Sequence, residues 1–311
     1  MRNAIKLLLV STVVGVIVFL VFWLPNTQEI VVLNPFLKKL FIPEQKTVSF
    51  IIGGDMMFAR GVHARYENNL HESVEKLGDV FSQADMAIVN LEGAISATPI
   101  RPDPGSHFKF VFPPETVDVL VGLGIDAVSQ DNNHANNGNV DVTQELLERQ
   151  GISVLPHTVE GKKLKLTLIG IHTLWGVKDI TGQIRDLTED PDMRVIIFPH
   201  WGEEYKPIHN TQQEQLAHAW IDAGADMVVG AHPHVVQDAE IYRDKPIIYS
   251  LGNLVFDQDW SIETQRGILV MGEFTDEDLE ISIMPIISKN YQPMLASSQW
   301  IPFSSWILDR K

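Results

Sequence analysis

The sequence predicts an α/β protein in which two packed sheets are flanked by helices, preceded by one N-terminal transmembrane helix. Three observations support this prediction: an uncharged apolar run near the N-terminus, strand patterns that alternate with helix patterns from residue 47 onwards, and a strand-rich end. The chain has 311 residues, of which 45% are hydrophobic and 21% charged. That is enough material for a large globular core.

The N-terminal segment has the features of a membrane anchor. Residues 1–6 contain two basic side chains and are followed by residues 7–24, LLLVSTVVGVIVFLVFWL, which carry no charge. At helical rise this run spans roughly 27 Å, close to the thickness of the bilayer hydrocarbon. A cleaved signal peptide is the alternative, although no small-residue cleavage site follows. The basic N-terminus favours an extracytoplasmic location for the rest of the chain, with residues 25–46 as a juxtamembrane tether.

Charge and cysteine content exclude several classes of protein. The formal net charge is −16, which argues against nucleic acid as a partner. Because the chain contains no cysteine, disulfides and thiolate metal sites are excluded.

From residue 47 the chain alternates between strand and helix patterns. Apolar, β-branched runs predict strands, and amphipathic segments that stop at glycine predict helices. The predicted helices are ESVEKLGDVFSQA, PETVDVLVGLG, VTQELLERQG and TQQEQLAHAWIDAG, and the strands between them include TVSFIIGGD, DMAIVNLEG, KLKLTLIGIHT and MRVIIFPH. The late strands PIIYSLGNLVFD, RGILVMGEFT and LEISIMPII lack long intervening helices, which indicates an antiparallel element. The predicted domain spans residues 47–288, and residues 289–311 form a C-terminal extension packed on it.

Polar side chains that can bind metals recur at the ends of the apolar strands. They are Asp55, Asn90 with Glu92, Asn133 with His134, His200, and His232 with His234. In open α/β sheets the loops at the carboxyl ends of strands converge on one crevice. We therefore expect these side chains to lie close together.

This set of donors suits a divalent metal centre. Carboxylates, amide oxygens and imidazoles without thiolates favour Mn, Fe or Zn over Ca or Mg. A bridging carboxylate holds two ions roughly 3.5–4 Å apart, where they bind an anionic substrate and lower the pKa of a bound water. A further histidine would protonate the leaving oxygen.

Each residue taken alone also has a structural interpretation. Asp55 suits a helix cap, Asn90 and Glu92 suit a surface turn, and His200 suits stacking on Trp201. The His-Pro-His of GAHPHVVQ is the most specific signal, because a proline between two imidazoles directly follows an apolar strand. The remaining histidines, at positions 63, 71, 107, 157, 172, 209 and 218, lack this setting and are interpreted as ordinary.

Six blocks in order resemble one known family. They are GGDMMFAR, VNLEGAIS, AVSQDNNHANNG, FPHWGEEY, VVGAHPHVVQ and IYSLGNLVFDQ, between residues 53 and 258. They resemble the bacterial CapA family of capsule-synthesis proteins, which is linked to poly-γ-glutamate production and is similar to the calcineurin-like metallophosphatases. The resemblance implies a metallophosphatase-like β-sandwich flanked by helices.

The resemblance also implies roles for individual residues. One metal would be held by Asp55, Glu92 and His234, and the other by Glu92, Asn133, His200 and His232, with Glu92 bridging. His134 would be the general acid, and Arg60 would bind an anionic group of the substrate. The nearby Asn136 and Asn137 are expected to shape the turn.

Three positions depart from the family patterns. The metallophosphatase motif Asp-x-His is Asp55-Met56-Met57 here, so one imidazole is absent. The motif Gly-Asp-x-x-Asp is replaced by Asn-Leu-Glu, and an Asp of the capsule family is Asn137.

The implied function is a role in capsule or poly-γ-glutamate biosynthesis at the outer side of the cell membrane. One hypothesis is a metal-dependent hydrolase of phosphate esters, and the alternative is a non-catalytic accessory subunit of a polymer synthesis or export complex. A sugar- or peptide-binding module is a third. The implied partners are the membrane, an anionic polymer or phosphate-ester substrate, and membrane subunits of a synthesis complex.

Overall fold

Two β-sheets form the centre of the computed structural model, which describes residues 46–105 and 109–308. The strands within these residues are β1 (Thr47–Met56), β2 (Met86–Leu91), β3 (Ala94–Ile95), β4 (Val111–Phe112), β5 (Ala127–Ser129), β6 (Ser153–Val154), β7 (His157–Glu160), β8 (Lys165–His172), β9 (Met193–His200), β10 (Met227–Val229), β11 (Ala239–Tyr242), β12 (Lys245–Ile248), β13 (Asn253–Val255), β14 (Arg266–Thr275), β15 (Leu279–Lys289), β16 (Gln292–Leu295) and β17 (Ile301–Pro302). The α-helices there are α1 (Arg60–Arg65), α2 (Thr116–Leu123), α3 (Val140–Glu148), α4 (Thr181–Thr188), α5 (Thr211–Ala223) and α6 (Phe303–Leu308).

The larger sheet is mixed. Its order is β16-β15-β14-β1-β2-β5-β6, with β13 beside β1 and β17 beside β15. The neighbours β1, β2, β5 and β6 are parallel, whereas β14, β15 and β16 are antiparallel, as the late strands predicted. Part of the predicted C-terminal extension thus continues this sheet as β16 and β17.

The smaller sheet has the order β11-β12-β10-β9-β8-β7. Its central strands β8, β9, β10 and β12 are parallel, and its two edge strands are antiparallel to their neighbours. A separate pair, β3 and β4, lies outside both sheets.

Three clusters of buried apolar side chains separate the layers. Alternate residues of β1 face opposite sides: Phe50 and Ile52 pack with Leu168 of the smaller sheet, and Ile51 packs towards α1 and α2. The third cluster covers the outer face of the smaller sheet with α4 and α5, including Trp220. Two sheets packed face to face with helices outside them confirm the predicted mixed α/β architecture.

Residues 72–84 differ from their prediction. Their spacing predicts an α-helix, but this described stretch folds as the short 3-10 helices Glu75–Leu77 and Val80–Gln83, after a first one at Leu70–Ser73. Gly78 lies between them with φ of +59°, a left-handed value that interrupts a helix. The apolar side chains of this stretch are nevertheless buried.

The parallel strands of both sheets carry the candidate site residues at their carboxyl ends. Asp55 lies near the end of β1, Glu92 follows β2 and Asn133 follows β5, all in the larger sheet. His200 ends β9 and His232 follows β10, both in the smaller sheet. The site therefore lies where the two sheets meet, and the prediction that strand ends converge is confirmed.

The predicted transmembrane helix at residues 7–24 lies outside the described residues, as do residues 1–6 and the tether up to residue 45. In the part of the chain that the structure describes, no helix is both long and apolar enough to cross a membrane.

Candidate metal centre

Glu92 is a fully buried carboxylate at the end of β2. Its backbone N–H donates to the carbonyl of Met56 at 2.9 Å, which fixes it beside the end of β1. The side chain is 0% exposed, and neither carboxylate oxygen has a hydrogen-bond partner among the described residues. A carboxylate buried in this way is unfavourable unless a cation compensates it. Glu92 therefore fits the role of a metal ligand.

Asp55 is held beside Glu92 by neighbouring donors. Gly54 before it is required, because a Cβ there would lie 1.9 Å from the carbonyl oxygen of Gly252. The Asp55 carboxylate accepts from Asn90 Nδ2 at 2.7 Å and from the backbone N–H of His232 at 3.3 Å. Its Oδ2 atom also lies 3.2 Å from Nδ1 of His234. These contacts join β1, β2 and the segment after β10.

The His-Pro-His segment turns both imidazoles into the site. His232 and His234 have φ of +99° and +57°, strained values that other contacts must hold in place. Nδ1 of His232 is buried and has no hydrogen-bond partner in the described structure. Nδ1 of His234 donates to Asn253 Oδ1 at 3.0 Å, and its Nε2 lies 3.6 Å from Glu92 Oε1. Each histidine thus presents a ring nitrogen to the centre.

His200 and Asn133 form a close pair. Nε2 of His200 lies 2.8 Å from Oδ1 of Asn133, and its Nδ1 lies 3.3 Å from Nδ2 of Asn90. Because Nδ2 is a donor, Nδ1 accepts, and Nε2–H donates to Asn133. The rings of His200 and His232 are 4.6 Å apart. This pairing brings together two of the ligands implied for the second metal.

His134 stands at the edge of the site with one nitrogen directed inwards. Its ring stacks on Phe110 at 3.8 Å, and its Nδ1 lies 2.9 Å from Oδ1 of Asn137. Its Nε2 lies 3.9 Å from Glu92 Oε1. An imidazole held in this way can exchange a proton with a group bound beside Glu92.

Arg60 lies beside Phe110 and is hydrogen-bonded to a carboxylate. Its guanidinium donates to both oxygens of Asp257, with Nε at 3.1 Å from Oδ2. It also lies 4.7 Å from the ring centre of Phe110, the ring on which His134 stacks. The implied contact of Arg60 with an anionic substrate group stays a prediction.

Two groups of side chains have ligand atoms within 4.8 Å of one another. One is Asp55, Glu92 and His200; the other is Glu204, His232 and His234. The structure therefore brings all the implied ligands into one centre but groups them differently from the resemblance. The individual pairing of residues with two metals stays a prediction.

Burial and neighbouring charges shift the pKa values in this centre. Burial raises the pKa of Glu92, and the nearby Asp55 adds to that effect while His234 opposes it. Burial lowers the pKa of His232 to about 3 and that of His200 well below its usual range, so both imidazoles are neutral at pH 7, the form that can bind a metal. Burial opposes the charge on His234, but Glu92 and Asp55 raise its pKa overall. The donor set and its unsatisfied atoms fit a divalent cation.

The sequence pattern of the family described as "Bacterial capsule synthesis protein PGA_cap" matches residues 49–157 and 159–258. The chain belongs to this family. The resemblance to CapA proteins is thereby confirmed.

Three relatives show how far the similarity extends. The "PGA biosynthesis protein CapA" of Bacillus subtilis (strain 168) is 28% identical over 75% of this chain and 68% of its own length. The "Capsule biosynthesis protein CapA" of Bacillus anthracis is 44% identical over 32% of this chain and 23% of its own. A "Probable polyglutamine synthesis accessory protein" of Mycobacterium tuberculosis (strain CDC 1551 / Oshkosh) is 35% identical over 26% of this chain and 21% of its own.

Among solved structures, the crystal structure of TT1561 from Thermus thermophilus aligns with a TM-score of 0.39 and 11% identity. The alignment covers 76% of this chain and 98% of that one.

Sequence reasoning overlooks several contributors to the centre of this PGA_cap family member. Asn253, in the block IYSLGNLVFDQ, accepts from His234, and Glu204, in FPHWGEEY, joins the second group of ligand atoms. The sequence pattern predicts a turn role for Asn137, yet its side-chain oxygen also contacts His134.

His172 is interpreted from sequence as an ordinary histidine, but it lies beside His200 in the paired strands β8 and β9, with ring centres 6.0 Å apart. Its Nε2 is buried with no hydrogen-bond partner among residues 46–105 and 109–308. The same strand-end signal that identifies His200 applies to His172, because KLKLTLIGIHT also carries a histidine at its end.

Proposed function

We propose that this PGA_cap protein is a metal-dependent hydrolase of phosphate esters in capsule or poly-γ-glutamate biosynthesis. The observation that supports it most directly is the buried carboxylate of Glu92, whose two oxygens have no hydrogen-bond partner in the described structure. Three imidazoles and a second buried carboxylate surround it. Such unsatisfied charge destabilises a fold, and a bound cation would compensate it. The printed names of the Bacillus relatives supply the biosynthetic context.

The side chains that would hold the metals are Asp55, Glu92, Asn133, His200, His232 and His234, with Mn, Fe or Zn as the ions. When bound, such ions supply an electrophile for phosphoryl oxygens and a water of lowered pKa. Glu92 belongs to one group of ligand atoms, and its Oε1 lies 3.6 Å from Nε2 of His234 in the other, so it is the natural bridge. Asn90 orients two of the ligands at once, because its Nδ2 contacts both Asp55 and His200.

His134 is the proposed proton donor to the leaving oxygen. Asn137 Oδ1 accepts from the backbone N–H of Phe110 at 2.7 Å, so its amide oxygen, and not its nitrogen, faces His134. Nδ1 of His134 must therefore be the donor, and Nε2 carries a proton only in the imidazolium form. Burial lowers the pKa of this imidazole and the hydrogen bond to Asn137 opposes that shift, so the proton is held best at acidic pH. In hydrolysis, water attacks phosphorus, the ester P–O bond breaks, and this proton passes to the departing oxygen.

The charge of the chain restricts the substrate. Residues 47–311 carry 19 basic and 38 acidic side chains, so the field beyond the centre repels a long polyanion. Cations in the centre would reverse that sign locally. A phosphate ester with a compact anionic head group fits better than a polyglutamate chain lying along the surface.

We further propose that the domain has the metallophosphatase-like fold and works outside the cytoplasm, anchored through residues 7–24. The sandwich of two sheets with strand-end ligands supports the first part. The uncharged run in the sequence supports the second.

The alternative function is that of an accessory subunit without turnover. The printed name of the Mycobacterium tuberculosis relative supports it, as does the engagement of Arg60 with Asp257, which leaves the predicted anion contact without direct support. Membrane subunits of a synthesis complex would then be the partners.

Metal analysis of the purified full chain tests the proposal, with His232→Ala and His234→Ala as variants and the exposed His71→Ala as the matched control. We expect one or two Mn, Fe or Zn ions per chain in the wild type and the control, and fewer in both variants. Hydrolysis of p-nitrophenyl phosphate and its diester should depend on the same ions. Bound metal without any hydrolysis would favour the accessory function, and a stable metal-free wild type would refute the metal centre.

A further inference from the structure

Glu204 is an exposed carboxylate that nevertheless reaches the centre. It lies in the loop after β9, and one of its oxygens is within 4.8 Å of ring nitrogens of His232 and His234. The resemblance assigns only three residues to the first metal: Asp55, Glu92 and His234. Met57 cannot add to them, because it is buried in the apolar core, where its sulfur accepts from the N–H of Ala59. A fourth protein ligand would complete that set.

The loop is fixed against the His-Pro-His segment. The backbone N–H of Tyr205 donates to the carbonyl of Pro233 at 2.8 Å, between the two histidines. The N–H of Trp201 donates to the carbonyl of Ala231 at 3.2 Å on the same side. Glu204 lies between these two attachments. The backbone that carries this side chain is therefore fixed beside the two histidines.

A chain of side-chain contacts links Tyr205, the residue after Glu204, back to His234. The Tyr205 hydroxyl accepts from Gln258 Nε2 at 3.1 Å. Gln258 Oε1 accepts from Asn253 Nδ2 at 3.0 Å, and Asn253 Oδ1 accepts from His234. The loop that carries Glu204 and the proposed ligand nitrogen of His234 are thus held by one network.

Charge supports the same assignment. Oxygen atoms of Asp55 and Glu92 lie 3.2 Å and 3.6 Å from the two ring nitrogens of His234, and an oxygen of Glu204 lies within 4.8 Å of one of them. Asp55, Glu92 and Glu204 therefore concentrate three carboxylates around one imidazole. Such a group is stable only with compensating positive charge.

We propose that Glu204 is a ligand of the metal centre and makes the first metal position rich in oxygen donors. This inference rests on the proposed function, because the centre is the same. Three carboxylates with one imidazole form a harder donor set than the set implied for the second metal, which has one carboxylate, one amide oxygen and two imidazoles. The first position thus favours Zn²⁺ over Mn²⁺ less strongly than the position with His200 and His232 does.

Mn²⁺ binding to the full chain tests the assignment, measured by the loss of the free Mn²⁺ signal in electron paramagnetic resonance and by calorimetry. The variant is Glu204→Gln, and the matched control is Glu203→Gln, which removes the same charge from the neighbouring exposed side chain. We expect Glu204→Gln to weaken Mn²⁺ binding by more than about tenfold, and the control to change it far less. Glu204→His should increase the affinity for Zn²⁺ relative to Mn²⁺.

Each outcome decides the question. Unchanged Mn²⁺ affinity in Glu204→Gln would overturn the assignment, since the wild-type centre would then bind metal without this carboxylate. Equal weakening in both variants would also overturn it, because a general surface-charge effect would explain the loss. A wild-type chain that binds neither Mn²⁺ nor Zn²⁺ would instead refute the proposed function itself.

Discussion

The carboxamide oxygen of Asn137 lies 2.9 Å from Nδ1 of His134 and accepts a second hydrogen bond from the N–H of Phe110. The ring of Phe110 in turn stacks on His134 at 3.8 Å. One amide therefore sets both the tautomer and the orientation of the imidazole. The amide makes this contact with an uncharged acceptor.

Removing that acceptor should impair turnover without removing the metals. Asn137→Leu removes the oxygen that accepts hydrogen bonds from Phe110 N–H and from Nδ1 of His134. We expect the rate of phosphate-ester hydrolysis to fall by up to about 100-fold, as for a misplaced catalytic group. Asn137→Asp keeps an oxygen acceptor and should retain most of the rate. Steady-state kinetics beside metal analysis checks this, and equal rates for Asn137→Leu and the wild type would contradict it.

Glu92 should lower the stability of the metal-free chain and strengthen its metal binding. Replacing it by Gln removes a buried carboxyl group that has no hydrogen-bond partner among the described residues and whose pKa burial raises to about 8, so that its ionisation at pH 7 favours the unfolded chain. We therefore expect metal-free Glu92→Gln to be more stable than metal-free wild type by about 1–3 kcal/mol. For a domain of this size that is a rise in Tm of several degrees, on the order of 2–4 °C per kcal/mol.

Added Mn²⁺ should reverse the order of stability of the wild type and Glu92→Gln. At 100 times its Kd a ligand stabilises the fold by about 2.7 kcal/mol, and the wild type should gain this while Glu92→Gln gains much less. Thermal unfolding with and without Mn²⁺, with the exposed Glu115→Gln as control, measures both effects. A Glu92→Gln variant that gains as much from Mn²⁺ as the wild type would exclude Glu92 as a ligand.

The parts of this molecule that the sequence predicts well are those governed by local rules. Helices α2 and α5 end where Gly124 and Gly224 adopt positive φ, and the strand ends deliver Asp55 and His200 to one crevice. The helical spacing at residues 72–84 fails as a predictor, because packing on the sheet tolerates short 3-10 helices and Gly78 interrupts a longer one.

The missed residues are those whose roles depend on distant partners. Asn253 contacts a histidine outside its own strand, and Glu204 lies next to Tyr205, whose N–H donates to the carbonyl of Pro233 between the two histidines. Nothing in the local pattern around either residue distinguishes it from a turn residue. Their roles follow from the meeting of two sheets, which composition and periodicity do not specify.

Asn253 should affect metal affinity through His234. Its Oδ1 accepts from Nδ1 of His234, and its Nδ2 donates to Gln258 and to the carbonyl of Thr264. In Asn253→Leu the imidazole loses one of the two acceptors at Nδ1 and keeps only Asp55 Oδ2, so the orientation of Nε2 towards Glu92 is weakened. We expect metal affinity to fall by about 10–100-fold, the usual cost of removing a group that orients a ligand.

Calorimetric titration with Mn²⁺ measures that loss, and the exposed Asn68→Leu is the control. Nitrogen NMR of the imidazole should show a shifted Nδ1 resonance at His234 in Asn253→Leu, because this N–H loses one of its two acceptors. Unchanged affinity together with an unchanged Nδ1 resonance would remove Asn253 from the centre.

His63 should make the fold sensitive to mild acid. It lies in α1 with 5% exposure, and burial lowers its pKa below the usual 6.5, with the charges of Glu67 and Glu115 opposing that shift. The folded chain therefore resists protonation that the unfolded chain accepts, so the free energy of unfolding falls as pH drops below about 6.5 and is unaffected by this group above it.

His63→Gln should lose less stability between pH 7 and pH 5 than the wild type, whereas the exposed His71→Gln should follow the wild type. Chemical denaturation at both pH values measures the difference, and parallel losses in all three proteins would mean that His63 titrates alike in the folded and unfolded chain.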